Sequence, residues 1–328
     1  MATSGTISAT TFTTRQVIEH ASRRAGLAAE RLTAEHISTA NDSLYLLLSD
    51  LANQGAPLWC IERVILPLYE GNYSVPTGVG TVDVLNANLR YLQEVTGTDV
   101  DTPTTRTIQF TTDTEVTTAG VKWAAASVPI ALERSDDGVT WATVQSETPD
   151  ASAGEWTWFD ISTVVASRYF RVRATSGTLS FSLVYTGNSP TEIALGVLNK
   201  DDYTQLPNKS FTSSQPLQYW MDRQMPQPIM RLWPTPNDAA EVRQIVAWRH
   251  RYIMDVGPMT QTLDVPQRWF EAVVSMLAAK LVVEYPDADL SRSALLDQKA
   301  ERALYVAQQE ESDHSPVNIV PAIGVYTR

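Results

Sequence analysis

Residues 198–236 read LNKDDYTQLPNKSFTSSQPLQYWMDRQMPQPIMRLWPTP. The stretch is dense in aromatic residues and prolines, yet it holds no nucleophile–base pair, no metal-ligand spacing and no glycine-rich phosphate loop. Its second half is apolar and extended, with a strand expected through Pro228 to Trp233 and another following at Arg243 to Tyr252.

Working outward toward the C-terminus, Leu263-Asp264-Val265-Pro266 opens a helix with Pro266 at its first position, where a missing N–H costs nothing. Phe270, Val273, Val274, Leu277 and Leu281 form its expected buried face, and Pro286 ends it. A last helix, about Leu290 to Glu311, places Leu296, Ala300, Ala303 and Ala307 on one side. The final segment, HSPVNIVPAIGVYTR, contains two prolines and a glycine and is not helical.

Toward the N-terminus, Thr13 followed by Gln16 fits a capping box whose helix stops near Gly26. A second helix is expected from Thr33 to Gly55, with Ile37, Leu44, Leu47, Leu48 and Leu51 on one face. The short Leu27 to Leu32 connection makes the two an antiparallel pair. From Trp59 the pattern changes. Val64-Ile65-Leu66 and Tyr73-Ser74-Val75 flank Glu70-Gly71-Asn72, which predicts strands around a tight turn. Thr81 to Leu92 is another extended run, and Thr96 to Arg106 reads as a linker of threonine, aspartate and proline.

Residues 107–186 have the pattern of a separate β module. Thr107 to Phe110, Val128 to Glu133, Tyr169 to Arg173 and Leu179 to Val184 alternate with turn clusters. Phe170, Val172 and Ala174 fall on one strand face, Arg171 and Arg173 on the other. Asp137-Gly138 between strand-like runs is a hairpin signal. The run Ser135 to Trp141, followed by Arg168-Tyr169-Phe170-Arg171-Val172, resembles discoidin-like jelly rolls.

The flanks carry a second resemblance. Asp202-Tyr203, Leu206-Pro207-Asn208-Lys209, Tyr219 to Arg223 and Leu232-Trp233-Pro234-Thr235-Pro236 are similar to blocks of the head-to-tail adaptors (head-completion or DNA-stabilisation proteins) of short-tailed bacteriophages. The likeness covers residues 1–96 and 187–328 and skips the module. It implies a helical domain built from both chain ends. The expected fold class is therefore α+β: that helical domain, a β-rich middle part, and an inserted β-sandwich, jelly-roll-like, at 107–186. As an insertion, 107–186 is expected to be replaceable by a short linker with the fold kept.

The resemblance further implies a homo-oligomeric ring, a dodecamer, beneath the portal protein, with a tail nozzle, hub or fibres below. Packaged DNA would pass through the lumen without sequence-specific binding. It also implies a C-terminal arm that docks on the portal, here Val317, Ile319, Val320, Pro321, Ile323, Val325 and Tyr326. The expected location is the virion neck, after synthesis in the host cytoplasm.

Composition bounds the alternatives. A formal charge of −12 over 328 residues leaves no whole-molecule basic footprint for nucleic acid. The single cysteine, Cys60, excludes an internal disulfide and sits in an apolar context that fits a core residue. The first residues lack a signal-peptide pattern, and the most apolar stretch, Val273 to Val283, carries Lys280 and is about half of the roughly 20 residues a bilayer requires. A soluble cytoplasmic product without membrane contact is expected.

His20, His36, His250 and His314 are scattered, with no zinc motif. The pairs Asp136/Asp137 and Asp201/Asp202 lie in turn-rich sequence, where adjacent carboxylates point apart. No catalytic residue, metal or cofactor is expected. Arg243, Arg249, His250 and Arg251 read as a solvated or subunit-interface face. Trp141, Trp156 and Trp158 form the candidate glycan or tail-contact surface, against the plainer reading that tryptophans of the module fill a small core. The alternative function is thus a glycan-binding accessory protein acting through the sandwich.

Overall fold

A computed structural model describes residues 11–53, 58–254 and 256–310. They fall into two compact units, one drawn from residues up to Ile61 and from Tyr252 onward, the other from Glu62–Arg251. In chain order the elements begin with helices α1 (Thr14–Ala25) and α2 (Ala34–Asn53). Strands β1 (Ile61–Pro67), β2 (Ser74–Pro76), β3 (Thr81–Glu94), β4 (Thr98–Asp101) and β5 (Thr105–Thr114) follow. Next come β6 (Thr118–Trp123), β7 (Ile130–Ser135), β8 (Ala142–Glu147), β9 (Trp156–Asp160), β10 (Ser167–Ala174) and β11 (Phe181–Ala194). The aromatic stretch supplies β12 (Gly196–Val197), α3 (Lys200–Gln205), β13 (Thr212–Ser213), β14 (Gln218–Asp222), β15 (Ile229–Trp233) and β16 (Thr235–Pro236). Strand β17 (Gln244–Arg251) and helices α4 (Phe270–Glu284) and α5 (Ser293–Glu310) complete the chain.

The helical unit follows its local signals. Thr13 and Gln16 make the reciprocal capping box, with Gln16 N–H donating to Thr13 Oγ1 at 3.3 Å and Thr13 N–H to Gln16 Oε1 at 2.9 Å. Gly26, at φ 101°, closes α1 in the left-handed conformation. Pro266 lies one step earlier than expected: it caps a single 3-10 turn, Gln267–Trp269, and α4 starts only at Phe270. Its ψ of 154° is extended, so it precedes the helix rather than joining it. Leu47 and Leu48 of α2, Val17 and Ile18 of α1, Leu277 and Leu281 of α4 and Leu296 of α5 share one apolar core. Helices from both chain ends therefore bury each other's stripes. Cys60 is part of that core.

The β unit is organised by a six-stranded sheet of order β1-β17-β3-β11-β6-β9. One face meets two other sheets. Ala87, Leu89, Ile245 and Ala247 pack with Tyr219, Met230 and Leu232 of the four-stranded sheet β12-β14-β15-β2. Ala119, Val121, Trp123 and Phe159 pack with Ile130, Leu132, Phe170 and Val172 of the five-stranded sheet β4-β5-β10-β7-β8, closing a β-sandwich. On the opposite face the sheet curls until its two outer strands approach. Arg63 of β1 reaches Asp160 of β9 at 2.8 Å, and Trp156 N–H donates to Tyr69 Oη at 3.1 Å.

Three expectations change here. Thr96 to Arg106 is not a free linker: β4 pairs with β5, and Arg106 holds Asp101 at 2.6 Å and Asp99 at 3.4 Å across that ladder. β1 and β2 are not partners around a turn, because β1 joins the six-stranded sheet while β2 pairs with β15. The turn-like Gly187-Asn188-Ser189-Pro190 does not end a module. It is a bulge inside β11, whose first half pairs with β6 and whose second half pairs with β3. Gly187 permits this closeness, since a Cβ there would lie 2.9 Å from Leu92 Cβ. One continuous strand thus crosses the expected 186/187 boundary.

Candidate functional site: an aromatic cleft

The stretch that carries the adaptor resemblance folds around a cleft of about 520 Å³. Alternation along β14 and β15 decides which of its side chains seal the core and which face the cleft. Tyr219, opposite Leu232, is fully buried with Met230. The intervening Trp220 and Asp222 point the other way, with Arg231 opposite Trp220. Arg231 pairs with Asp222 at 3.1 Å, donates to Ser74 Oγ, and lies 5.6 Å above the ring of Tyr73.

Helix α3 completes the wall. Asn199 caps it by accepting from Asp202 N–H at 2.8 Å, and Asp201 and Asp202 sit in its first turn, where the helix dipole favours carboxylates. That placement accounts for this acidic pair as structural. The helix presents Tyr203 to Trp220, ring centroids 5.2 Å apart, and burial pushes the Tyr203 phenol above its ordinary range. Lys209 Nζ lies 5.9 Å from the Tyr203 ring and donates to Thr204 O at 2.9 Å.

Tyr73 and Trp220 thus line the cleft beside a fixed Asp–Arg pair, while Tyr203 is only 7% exposed. Asp222 is engaged by Arg231 and also accepts from Gln224 Nε2 at 2.7 Å. Among the described residues, no cluster of His, Cys, Asp and Glu could hold a metal. Sequence reasoning had marked the stretch but not Tyr73 or Ser74, which β2 brings from far upstream through its pairing with β15.

The sandwich places its tryptophans differently from a single binding platform. Trp156 and Trp158 are on β9 and stack on each other, 4.7 Å apart at 13°. Trp156 is 5% exposed, and Trp158 lies over Gly120, where a Cβ would come within 2.4 Å of its ring. Trp141 ends the β7–β8 turn at the other sheet of the sandwich, half-buried beneath the Arg171 guanidinium at 3.8 Å and edge-on to Tyr169. The three indoles are therefore not one surface.

Around Trp141 the outer face is charged and fastened. Glu133 is buried among Arg171 and Arg173; burial pushes its carboxyl up, but the hydrogen bonds from Arg173 and Arg171 outweigh this and hold it below the usual range. In the β7–β8 turn Asp137 accepts from Thr140 N–H, Val139 N–H and Ser135 Oγ, which brings its carboxyl down to about 2. Gly138, at φ 74°, completes that turn. Asp136/Asp137 is thus a turn element rather than an acid–base pair.

Of the solvated or subunit-interface face expected for Arg243, Arg249, His250 and Arg251, the solvated reading does not hold. Arg249 donates to Glu62 at 2.7 Å and to Thr77 O, Arg251 lies 3.3 Å from Glu62, and Arg243 sits 4.3 Å over Tyr91. His250 is buried, which lowers its pKa. These cations are spent on internal contacts. The expected arm, Val317, Ile319, Val320, Pro321, Ile323, Val325 and Tyr326, lies outside the described residues. No described helix is long and apolar enough to cross a membrane.

No protein-family profile and no curated protein matches the chain. Among solved structures it is similar to CBM32-1 from a family 31 glycoside hydrolase of Clostridium perfringens, at 11% identity and TM-score 0.24, covering 40% of this chain and 96% of that one. It is also similar to chitosan-binding module 1 of a Paenibacillus chitosanase/glucanase, at 14% identity and TM-score 0.23, covering 34% and 100%. A CBM32 of AlyQ in complex with 4,5-unsaturated mannuronic acid matches at 12% identity and TM-score 0.24, covering 33% and 98%. A glycoside hydrolase and a putative chitobiase fragment are spanned over 18% and 62% of their own lengths.

Proposed function

We propose that this chain is a non-enzymatic head-to-tail adaptor of a short-tailed phage virion, forming a ring between portal and tail that extends the DNA channel and retains packaged DNA. The observation that carries the reading is the helical unit, in which residues from the two chain ends share one apolar core. That is the architecture the resembling family implies. The resembling blocks add to it, because Tyr219 and Leu232 seal the β core while their neighbours line an open cleft. A chain of net charge −12 assembled as a ring suits a conduit along which DNA slides without adhering. The test is electron microscopy of the protein with the cognate portal protein. Rings seated on the portal are expected; a monomer that ignores the portal overturns the reading.

A second reading, glycan binding, is favoured by the convergence of Tyr73, Tyr203 and Trp220 on one cleft beside an Asp222–Arg231 pair. The similar solved structures named above include carbohydrate-binding modules, and none of those named is a phage adaptor. Titration with chitosan and mannuronate oligosaccharides, followed by tryptophan fluorescence, separates the two sites. A response lost in Trp220→Ala places the sugar in the cleft, one lost in Trp141→Ala places it on the sandwich, and no response removes this reading.

A further inference from the structure

The helical unit carries two exposed faces of opposite charge. Arg292, in the turn just before α5, and Leu295, Lys299, Arg302 and Val306 on α5 recur at three- and four-residue steps, all exposed, and wall a groove of about 730 Å³ shared with α1 and α4. Leu295 and Val306 are 54% and 53% exposed, apolar side chains set between cations. Arg24 in the groove is held by Glu271 at 2.7 Å, and Arg292 by Asp289 at 3.2 Å. Lys299 and Arg302 make no ion pair among the described residues. The groove is therefore net positive in a chain of net charge −12.

Helix α2 presents the complement. Glu35, Ser38, Asp42, Tyr45 and Leu46 share its exposed face, and the helix contains neither lysine nor arginine. Tyr45 and Leu46 are 49% and 59% exposed. Glu35 and Asp42 stand seven residues apart, about 10.5 Å along α2, while Lys299 and Arg302 are neighbours three residues apart on α5. One face thus sets carboxylates beside exposed apolar side chains, and the other sets cations beside them.

We propose that the groove walled by α5 in one copy of this chain receives the α2 face of a second copy, cations over Glu35 and Asp42, and Leu295 and Val306 against Tyr45 and Leu46. The inference rests on the structural reading above and names the contact by which copies join. The two faces differ, so the contact is heterologous: every copy offers one of each, and copies add head to tail until the rotation closes. A nucleic acid would answer the cations but would leave Leu295 and Val306 unmatched.

Charge exchange tests this directly. Lys299→Glu with Arg302→Glu, and separately Glu35→Lys with Asp42→Lys, alter exposed side chains and should leave thermal melting unchanged. Sedimentation velocity is expected to show self-association weakened about a hundredfold in either variant alone. Mixing the two is expected to restore assembly, because each altered face then meets its altered counterpart. Assembly at wild-type affinity in either variant, or no recovery on mixing, overturns the pairing. So does a groove variant that assembles normally but loses binding to a duplex DNA oligomer, which would assign the groove to nucleic acid. Portal-bound rings that survive both exchanges sink this contact while the adaptor reading stands; a wild-type chain monomeric with and without portal sinks both.

Discussion

The helical unit and the six-stranded sheet are fastened by different forces. The helices meet through a core of aliphatic and aromatic side chains around Leu44, Leu47, Val273, Leu277 and Leu281, with polar contacts such as Arg24–Glu271 at its margin. The curled face of the sheet is instead held by charge: Arg90, with its side chain 7% exposed, lies 2.9 Å from Asp160 and 2.7 Å from Glu192, and Arg63 adds a second cation on Asp160. Asn88 donates to Glu192 as well. Burial of apolar area is non-directional and insensitive to pH, whereas a charge cluster fixes geometry and titrates. The first kind of joint tolerates imprecision in register, and the second specifies how far the sheet curls.

The harshest way to break this contrast is to remove residues 107–186. An insertion hung on a linker would leave the remainder folded. Here the cut takes away β6, β9, the front half of β11 and most of β5, strips Asp160 from Arg90 and Arg63, and leaves β4 without its partner. The expected outcome is insoluble protein on expression, from an open strand edge beside unpaired charge. Soluble protein with an unchanged melting profile for the remainder would show the sandwich to be dispensable after all.

A sharper cut on the helical side is Leu277→Asp, which places an unpaired carboxylate at a fully buried position, or Leu47→Asp, at 1% exposure. Either should cost several kcal/mol and abolish a cooperative thermal transition of the helical unit. Retention of wild-type stability in both would mean that the shared core does not hold the chain ends together.

The smallest expected effect lies in the charge cluster. Arg90→Met should cost roughly 2 kcal/mol, between the limits for exposed and buried pairs because Asp160 and Glu192 are each about one-third exposed. Burial pushes the Glu192 carboxyl up, but Asn88 and Arg90 outweigh it, so its folded pKa is below 4.5. A depressed carboxylate contributes stability above its unfolded value and loses it as pH falls through the folded one. Chemical denaturation from pH 7 downward is therefore expected to show wild type losing stability below about pH 4.5, and Arg90→Met losing less over that window. Equal acid slopes would place the stabilisation elsewhere.

The two regions also differ in how far they were legible. The capping box at Thr13, the left-handed stop at Gly26 and the stripes of α2, α4 and α5 are local, and each was readable from spacing alone. The strands at 107–110, 128–133 and 169–173 were equally visible by alternation. What could not be read was partnership. Gly187 to Pro190 has the composition of a turn, and only the neighbouring β3 and β6 make it a bulge in a continuous strand. Trp156 and Trp158 were candidates for an open platform, but Gly120 and the approach of β1 to β9 fold them onto each other.

By itself, then, the sequence determined the helices, their buried faces and most of the strands, because periodicity and capping act within a few residues. Tertiary structure alone decided which strands pair, that Tyr73 and Arg231 share a cleft, and that Arg90 holds Asp160 and Glu192. The physical reason is that a strand's hydrogen bonds and a charge's partner are supplied by residues distant in the chain, and no local pattern encodes their address.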